Sequence, residues 1–201
     1  MIPLYNPYIS EKTKKNVNHC LTSNWISSKG EFVKKFEDSF SKFTQIKYSL
    51  SVTNGTCAIH LALLSLGIKK NDEVIVPSFT YVASVNPIKY IGAKPIFIDS
   101  DLNDFQIDIN NIEKKITTKT AAIICPHLYG NMTNVEHLIR LKKKYNIFII
   151  EDCAESFGSY FKKKHSGKFG DIATFSFYGN KTISTGEGGM VCTDNVNLAK
   201  I

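Results

Sequence analysis

One lysine stands in a setting that could give it covalent chemistry. The run FSFYGNKTISTGEGGM leads an apolar, strand-like stretch into Lys181 and then into a segment rich in glycine, serine and threonine. Backbone of this composition can approach a ligand closely. A desolvated lysine beside a cationic ring can attack a carbonyl carbon and form a Schiff base. A lone lysine on a loop is ordinarily just solvated, so this interpretation depends on the residues that accompany Lys181.

Two carboxylates end another apolar run, IFIIEDCAES. A carboxylate in such a buried position is costly unless it is paired or functional. Asp152 could keep a pyridine nitrogen protonated and so make the ring an electron sink. Glu155, three residues later, could reach the edge of the same ligand. A helix cap or a salt bridge is the alternative interpretation of Asp152.

A glycine turn precedes the apolar helical stretch TCAIHLALLSLG. Free N–H groups and the positive end of a helix dipole favour a phosphate at such a turn, here at Gly55 and Thr56. The alternative is that Asn54 and Thr56 only cap the helix. Phe79, in PSFTYVAS, follows another strand-like run and could stack on a planar ring, or it could be an ordinary core residue.

Short β-rich runs alternate with helical stretches from residue 47 onward, which predicts an α/β fold with a mostly parallel sheet and helices on its faces. We expect one domain over residues 1–201, with a helical N-terminal segment at 1–45 and the α/β core at 46–201. Ligands of such sheets lie outside the carboxyl ends of the strands, where the residues above are found. The predicted strands are Tyr48–Val52, Glu73–Pro77, Lys94–Asp99, Ala121–Cys125, Ile147–Asp152, Ala173–Tyr178 and Gly189–Thr193.

The composition argues against several classes of protein. The chain carries a formal net charge of +7, but its lysines fall in short groups such as 142–144 and 162–164, which are typical of solvated faces. No nucleic-acid-binding pattern accompanies them. The five cysteines form no CxxC pair and the histidines show no ligand spacing, so no metal site is predicted. No apolar run reaches the roughly 18 residues of a membrane span, and a cytoplasmic protein is predicted.

Six motifs together resemble, in order, the DegT/DnrJ/EryC1/StrS aminotransferases, which are pyridoxal-phosphate (PLP) enzymes of fold type I. The motifs are TNGTCAIHLALLSLG, DEVIVPSFTYVAS, GAKPIFID, CPHLYGN, IIEDCAESFGS and FSFYGNKTISTGEGGM. The resemblance implies the large domain of a three-layer α/β/α fold with a mixed sheet. It also implies that Lys181 forms the Schiff base with PLP and acts as the catalytic residue. The other cofactor-binding residues that it implies are Gly55, Thr56, Cys57 and Ser176 at the phosphate, Asp152 at the ring nitrogen, Glu155 near the ring hydroxyl and Phe79 on the ring face.

The same resemblance implies the substrates. The fragment NWISSKGEFVKKFE resembles the family's substrate segment, so Trp25, Ile26 and Ser27 are predicted in the sugar pocket, with His127 of CPHLYGN beside it. Many members have glutamine at the position of Glu155. Glutamate here, together with the string FSFYGNKTISTGEGG, resembles the members that aminate position 4 of a 4-keto-6-deoxyhexose. Such enzymes use a GDP- or dTDP/UDP-linked keto sugar, take nitrogen from glutamate and form homodimers.

Three alternatives accompany this prediction. Family members continue into a smaller C-terminal domain, whereas this chain ends at Ile201 in what resembles a helix start. The chain could therefore be a truncated, non-catalytic homologue, or a subunit that needs a second chain to complete its site. Family members that dehydrate their sugar carry histidine at the Schiff-base position, and Lys181 argues against that reaction. A dinucleotide-binding domain is disfavoured because no GxGxxG follows the first strand.

Overall fold

A mixed sheet of seven strands forms the centre of the protein in the computed structural model, which describes residues 5–201. The order of strands across the sheet is β1-β9-β8-β5-β4-β2-β3, and a separate hairpin holds β6 and β7. The strands are β1 (Tyr48–Val52), β2 (Glu73–Pro77), β3 (Lys94–Ile98), β4 (Thr120–Pro126), β5 (Phe148–Asp152), β6 (Tyr160–Phe161), β7 (Lys164–His165), β8 (Ile172–Ser176) and β9 (Gly189–Thr193).

Helices cover both faces of this sheet. They are α1 (Glu11–Thr22), α2 (Glu31–Thr44), α3 (Gly55–Ser65), α4 (Asn86–Tyr90), α5 (Ile109–Ile112) and α6 (Val135–Tyr145), with 3-10 turns at Val82–Ser84, Glu113–Lys115, Leu128–Gly130 and Leu198–Lys200. None of these helices, within residues 5–201, is long and apolar enough to cross a lipid bilayer.

The strand directions place most carboxyl ends at one edge of the sheet. The neighbours β3, β2, β4, β5 and β8 pair in parallel, and only the β8–β9 and β9–β1 pairings in this sheet are antiparallel. Strands β2 and β4 are buried along nearly their whole length, as expected for continuous apolar runs in a parallel sheet. The predicted mostly parallel, mixed sheet is therefore confirmed.

Alternation along the strands separates two cores. Ile150 of β5 and Ile172 of β8 face α3 and α4, together with Val74 and Val76. The intervening residues face the opposite side, where α5 and α6 pack. Asp152 is two residues beyond Ile150, so it shares the α3 face, while Glu151 points to the other face.

The N-terminal segment contributes to a third core cluster through α2. Phe40 is buried with its ring centroid 4.9 Å from that of Phe175, and Phe36 packs edge-on against Phe177 at 5.0 Å. Phe43 is half exposed and stacks on Phe157. The phenylalanine spacing of the sequence therefore belongs to a helix that packs on β8 and β9.

The predicted strand boundaries differ from the observed ones by two residues or fewer. The largest difference is at β8, which was predicted to run to Tyr178 but ends at Ser176, where the chain turns into the glycine-rich loop. The β6–β7 hairpin was not predicted, because each of its strands has only two residues.

Candidate active site

A cavity of about 390 Å³ opens at the carboxyl edge of the sheet, between the start of α3 and the loop after β8. Of the residues predicted to bind cofactor or substrate, the cavity wall contains Gly55, Thr56, His127, Asp152, Glu155, Ser176 and Lys181. These residues come from four different strand ends and the loops that follow them. The sheet topology thus brings together side chains that are up to 126 positions apart in the chain.

The amino end of α3 forms an anion-binding corner of this cavity. Asn54 caps the helix, because its Oδ1 accepts from the Cys57 N–H at 2.9 Å. Within the described part of the chain, the N–H groups of Gly55 and Thr56 donate to no protein acceptor. Two free donors at the positive end of a helix favour a phosphate.

Two glycines let the surrounding backbone close around this corner. A Cβ on Gly55 would lie 2.9 Å from Cβ of Ser176, and a Cβ on Gly189 would lie 2.5 Å from the carbonyl of Asn54. Neither distance is compatible with a side chain unless the backbone moves. Ser176 therefore lies against Gly55, and its hydroxyl in the cavity wall is a further donor for a bound anion.

Asp152 ends β5 as a buried acid in the cavity wall. Its Oδ2 accepts from the Ser84 hydroxyl at 2.7 Å and its Oδ1 from the Ala154 N–H at 3.1 Å. Burial raises the pKa of Asp152, and these two hydrogen bonds and the charge of Lys181 offset only part of that rise. The structure therefore surrounds this carboxylate with groups that favour its charged form.

Lys181 reaches into the cavity from the loop after β8. Its side chain is only 16% exposed, and Nζ lies 3.2 Å from Oε1 of Glu155. The other Glu155 oxygen accepts from the Tyr129 N–H at 3.0 Å. Lys181 is thus largely shielded from solvent and paired with Glu155, whereas an ordinary surface lysine is solvated.

His127 contributes to the cavity wall from the end of β4, but its ring is hydrogen-bonded to Glu151, which lies outside the cavity wall. Its Nε2 lies 3.0 Å from Oε2 of Glu151, and the Thr133 N–H approaches its Nδ1 at 3.3 Å. His127 and Glu151 are both buried, and the backbone N–H of His127 donates to the Asp152 carbonyl. The imidazole is therefore fixed in orientation.

Glu151 is the centre of that second cluster. The backbone N–H groups of Phe169 and Gly170 donate to its Oε1. Its Oε2 accepts from the backbone N–H of Gly167 and contacts the ring Nε2 of His127. Burial raises the pKa of Glu151, but these hydrogen bonds outweigh burial and lower it. With Cys153, the pair places three potential metal ligands within 4.8 Å of one another, but the carboxylate is already occupied by four donors.

The remaining five predicted site residues line no part of the cavity. Phe79 is half exposed and its ring lies 6.0 Å from that of Phe105, while Tyr81 of the same motif lines the wall. The Cys57 side chain is exposed and its N–H is used by the Asn54 cap. Ile26 and Ser27 are exposed on the α1–α2 loop.

Trp25, the fifth, lines a separate depression. That depression lies beside α1, with His19 and Cys20 in its wall. The placement of Trp25, Ile26 and Ser27 in a sugar pocket stays a prediction.

The wall also contains residues that the sequence did not single out. Thr80, Tyr81 and Ser84 lie in the motif PSFTYVAS, but nothing in this motif distinguished Tyr81, which lines the cavity, from Phe79, which does not. Asn180 and Glu187 flank Lys181 in the glycine-rich loop. Ser84 could not be identified from sequence because its partner Asp152 is 68 positions away.

Comparison with known proteins agrees with this geometry. The model of the DegT/DnrJ/EryC1/StrS aminotransferase family matches residues 7–201. The chain belongs to this family. Its similarity therefore extends through both the α3 cradle and the loop of Lys181.

Two similar curated relatives are named GDP-perosamine synthase. GDP-perosamine synthase of Escherichia coli O157:H7 is 57% identical over 197 residues, which cover 98% of this chain and 54% of the relative. GDP-perosamine synthase of Vibrio cholerae is 44% identical, with 97% and 53% coverage. The chain thus spans about half the length of the curated relatives it matches.

Solved structures confirm the fold. The aminotransferase from Psychrobacter cryohalolentis superposes with a TM-score of 0.91 at 34% identity, covering 98% of this chain and 51% of that one. The E. coli GDP-4-keto-6-deoxy-D-mannose-3-dehydratase with bound hydrated PLP gives 0.93 at 32% identity, with 99% and 52% coverage. The fold is therefore that of the matching half of each of these enzymes.

Proposed function

We propose that this chain supplies the cofactor site of a PLP-dependent enzyme that transfers the amino group of glutamate to a nucleotide-linked 4-keto-6-deoxy sugar. The observation that carries the proposal is the convergence of Lys181, Asp152 and the free N–H groups of α3 in one cavity. An amine, an acid for a ring nitrogen and an anion cradle are the three protein groups that PLP requires. Names of relatives at 57% and 44% identity support the choice of sugar.

The residues present fit the cofactor. The N–H groups of Gly55 and Thr56 and the hydroxyl of Ser176 would bind the phosphate, because they are the unoccupied donors of the cradle. Asp152 would pair with the ring nitrogen. Tyr81 lines the wall, so we propose it, beside the predicted Phe79, as an aromatic contact for the ring face.

Glu155 would approach the ring hydroxyl, as the family resemblance implies. Its carboxylate is held on one side by the Tyr129 N–H and on the other by Lys181. The side chain is thus fixed between the loop at the end of β4 and the lysine. A residue held in this way can position Lys181 Nζ within the cavity.

Bound PLP supplies an electron-withdrawing ring that stabilises negative charge at the carbon bearing the amino group. Lys181 would hold the cofactor through Nζ and, when released, would remove and return protons at Nζ as general base and acid. Asp152 would keep a proton on the ring nitrogen, and the surrounding wall would limit the access of water.

The substrates and partners belong to this proposal. Glutamate would donate nitrogen, and a GDP-linked 4-keto-6-deoxyhexose would accept it, as the name GDP-perosamine synthase suggests. The positive charge of the chain suits a doubly charged sugar nucleotide. Trp25, Ile26, Ser27 and His127 are the proposed sugar contacts. A homodimer is proposed as the assembly.

Amination and dehydration of the sugar can be separated by product. The purified protein, supplied with PLP, glutamate and GDP-4-keto-6-deoxymannose, is expected to release 2-oxoglutarate and an amino-sugar nucleotide, both measured by mass spectrometry. Lys181→Ala should lower the rate by about 10²-fold or more because the proton-transfer group is lost. Lys119→Ala, at an exposed lysine outside the cavity, is the control.

A sugar product that has lost water without gaining nitrogen would contradict amination. Covalent capture of PLP at Lys181 with no sugar product would show that the chain supplies the cofactor site but needs a further polypeptide segment or a second chain for turnover. Absence of both would refute the proposed function.

A further inference from the structure

Two hydroxyl groups lie in line behind Asp152. Ser84 is 1% exposed and ends the 3-10 turn Val82–Ser84, and its Oγ lies 2.7 Å from Asp152 Oδ2. Thr80 Oγ1 lies 3.1 Å from Ser84 Oγ. These contacts connect the segment after β2 with the end of β5, and the Thr80, Ser84 and Asp152 side chains all line the cavity.

The number of available protons determines which group donates in each of these two hydrogen bonds. A serine hydroxyl has one proton, and an ionised carboxylate can only accept. Ser84 therefore donates to Asp152, so Thr80 must donate to Ser84. Successive hydrogen bonds in a buried chain polarise one another, and this strengthens the last bond to the carboxylate.

The carboxylate keeps room for a ligand. Oδ2 accepts from Ser84 and Oδ1 from the Ala154 N–H, so each oxygen retains one lone-pair direction. Asp152 lines the cavity and is 8% exposed. The two tethers fix the plane of the carboxyl group and leave it available to a donor in the cavity.

Burial disfavours the negative charge on Asp152 that a donor in the cavity would pair with. Burial raises the pKa of Asp152, and the hydrogen bond from Ser84 is the largest effect that lowers it. The Ala154 N–H acts in the same direction. The other titratable groups near Asp152 are Lys181 on the loop after β8, His127 at the end of β4, and Cys153 and Glu155 beyond β5.

We propose that Ser84 is a positioning residue which, aligned by Thr80, keeps Asp152 ionised and aimed at a protonated ring nitrogen. The inference rests on the proposed cofactor site and adds to it the group that acts behind the acid. Ser84 itself contacts the acid, and its role is exerted through Asp152.

The first test measures cofactor affinity by titrating the purified protein with PLP and following visible absorbance. Ser84→Ala should weaken binding by about tenfold, the effect of losing one hydrogen bond to a charged group. The matched control is Ser65→Ala, which removes another nearly buried serine hydroxyl, one that donates within α3 to the Leu61 carbonyl. It should bind PLP as the wild type does.

A double-mutant cycle separates action through Asp152 from general damage to the fold. In the Asp152→Asn background, Ser84→Ala should cause no further loss of PLP affinity, because the carboxylate on which it acts is gone. If Ser84→Ala does not fold, Thr80→Ala answers the question with a milder loss, and Thr80→Ser, which keeps the hydroxyl, should restore wild-type affinity.

A spectroscopic readout is independent of turnover. When the ring nitrogen holds its proton less firmly, the ring carries less positive charge, and Lys181 Nζ, bonded to the cofactor, retains its own proton to higher pH. Ser84→Ala should therefore raise the midpoint of the pH-dependent absorbance change by roughly half a unit or more, and Ser65→Ala should not.

Two results would overturn the inference while leaving the proposed function intact. One is a Ser84→Ala protein whose affinity and midpoint equal those of Ser65→Ala. The other is an equal loss of affinity in the wild-type and Asp152→Asn backgrounds. If the wild type captures no PLP at all, the proposed function fails, and the inference fails with it.

Discussion

At the scale of single residues, the cradle of α3 depends on the absence of a side chain at Gly55. Gly55→Ala should weaken PLP binding by about tenfold or more, because its Cβ would displace Ser176 from the free N–H groups. Equilibrium titration with PLP measures this effect. Gly30→Ala, at the N-cap of α2 and outside the cavity, is the control. Equal affinities for the two variants would refute the cradle.

Glu151 makes a residue-scale prediction about stability. Glu151→Gln should lower the free energy of unfolding by about 3 kcal/mol or more, because an amide nitrogen would face N–H donors in a buried site. Denaturant unfolding measures the change. Glu113→Gln, at an exposed ion pair, should change stability little.

The pH dependence of this contribution follows from the sign of the pKa shift. The pKa of Glu151 in the folded protein lies below its ordinary 4.5, so the stabilisation is complete above that value and is lost as the pH falls through the folded pKa. The difference in unfolding free energy between wild type and Glu151→Gln should thus shrink in acid. A difference that grows in acid would contradict the assignment of a charged Glu151.

Residue types identified much of the site from sequence, but the direction of each side chain did not follow from them. Asp152, Lys181 and Gly55 were singled out as residues at strand ends that could bind a ligand, and the family resemblance implied their roles. Phe79 and Tyr81 lie two positions apart on an irregular segment, so no periodicity told which one faces the cavity.

At the scale of elements, the hairpin turn between β6 and β7 carries strain that the sequence did not reveal. Lys162 and Lys163 adopt φ values of 48° and 65°, in the left-handed region that favours asparagine and glycine in tight hairpins. The double change Lys162→Asn with Lys163→Gly should raise stability by about 1 kcal/mol. Thermal unfolding measures it.

The control for this turn is a lysine with ordinary backbone. Lys119 lies in a turn before β4 and is not among the residues of positive φ, so Lys119→Gly should destabilise through the entropy of the unfolded chain. Opposite signs for the two changes are expected. Destabilisation by both would show that the β6–β7 turn is not strained.

Element boundaries could be predicted where one signal dominated. Strands β1, β2 and β9 match their predicted ranges, because apolar runs end there at glycine, proline or asparagine turns. The hairpin could not be predicted, since YFKKKH has no favoured turn residue and its pairing depends on Tyr160 meeting His165.

At the scale of the whole molecule, cofactor binding should stabilise the folded chain by mass action. At a PLP concentration 100 times the dissociation constant, the free energy of unfolding should rise by about 2.7 kcal/mol. Chemical denaturation with and without PLP measures the increase, and Lys181→Ala at the same concentration should gain less. An equal gain in both proteins would place PLP binding outside this cavity.

The mixed sheet was predictable as a whole because strands and helices alternate along most of the chain. The alternation of strands and helices does not predict which residues lie on each face at the sheet edge. That distribution sends Asp152 toward α3 and Ser84, and Glu151 toward His127 and the loop at 167–170.

The central claim is that Lys181 is the amine that holds PLP in this cavity. Borohydride reduction of the PLP-loaded protein, followed by proteolysis and mass spectrometry, tests it directly. The account predicts one reduced cofactor per chain, on the peptide that contains Lys181, and no label in Lys181→Ala. Label on other lysines of the wild type, or none, would contradict the claim.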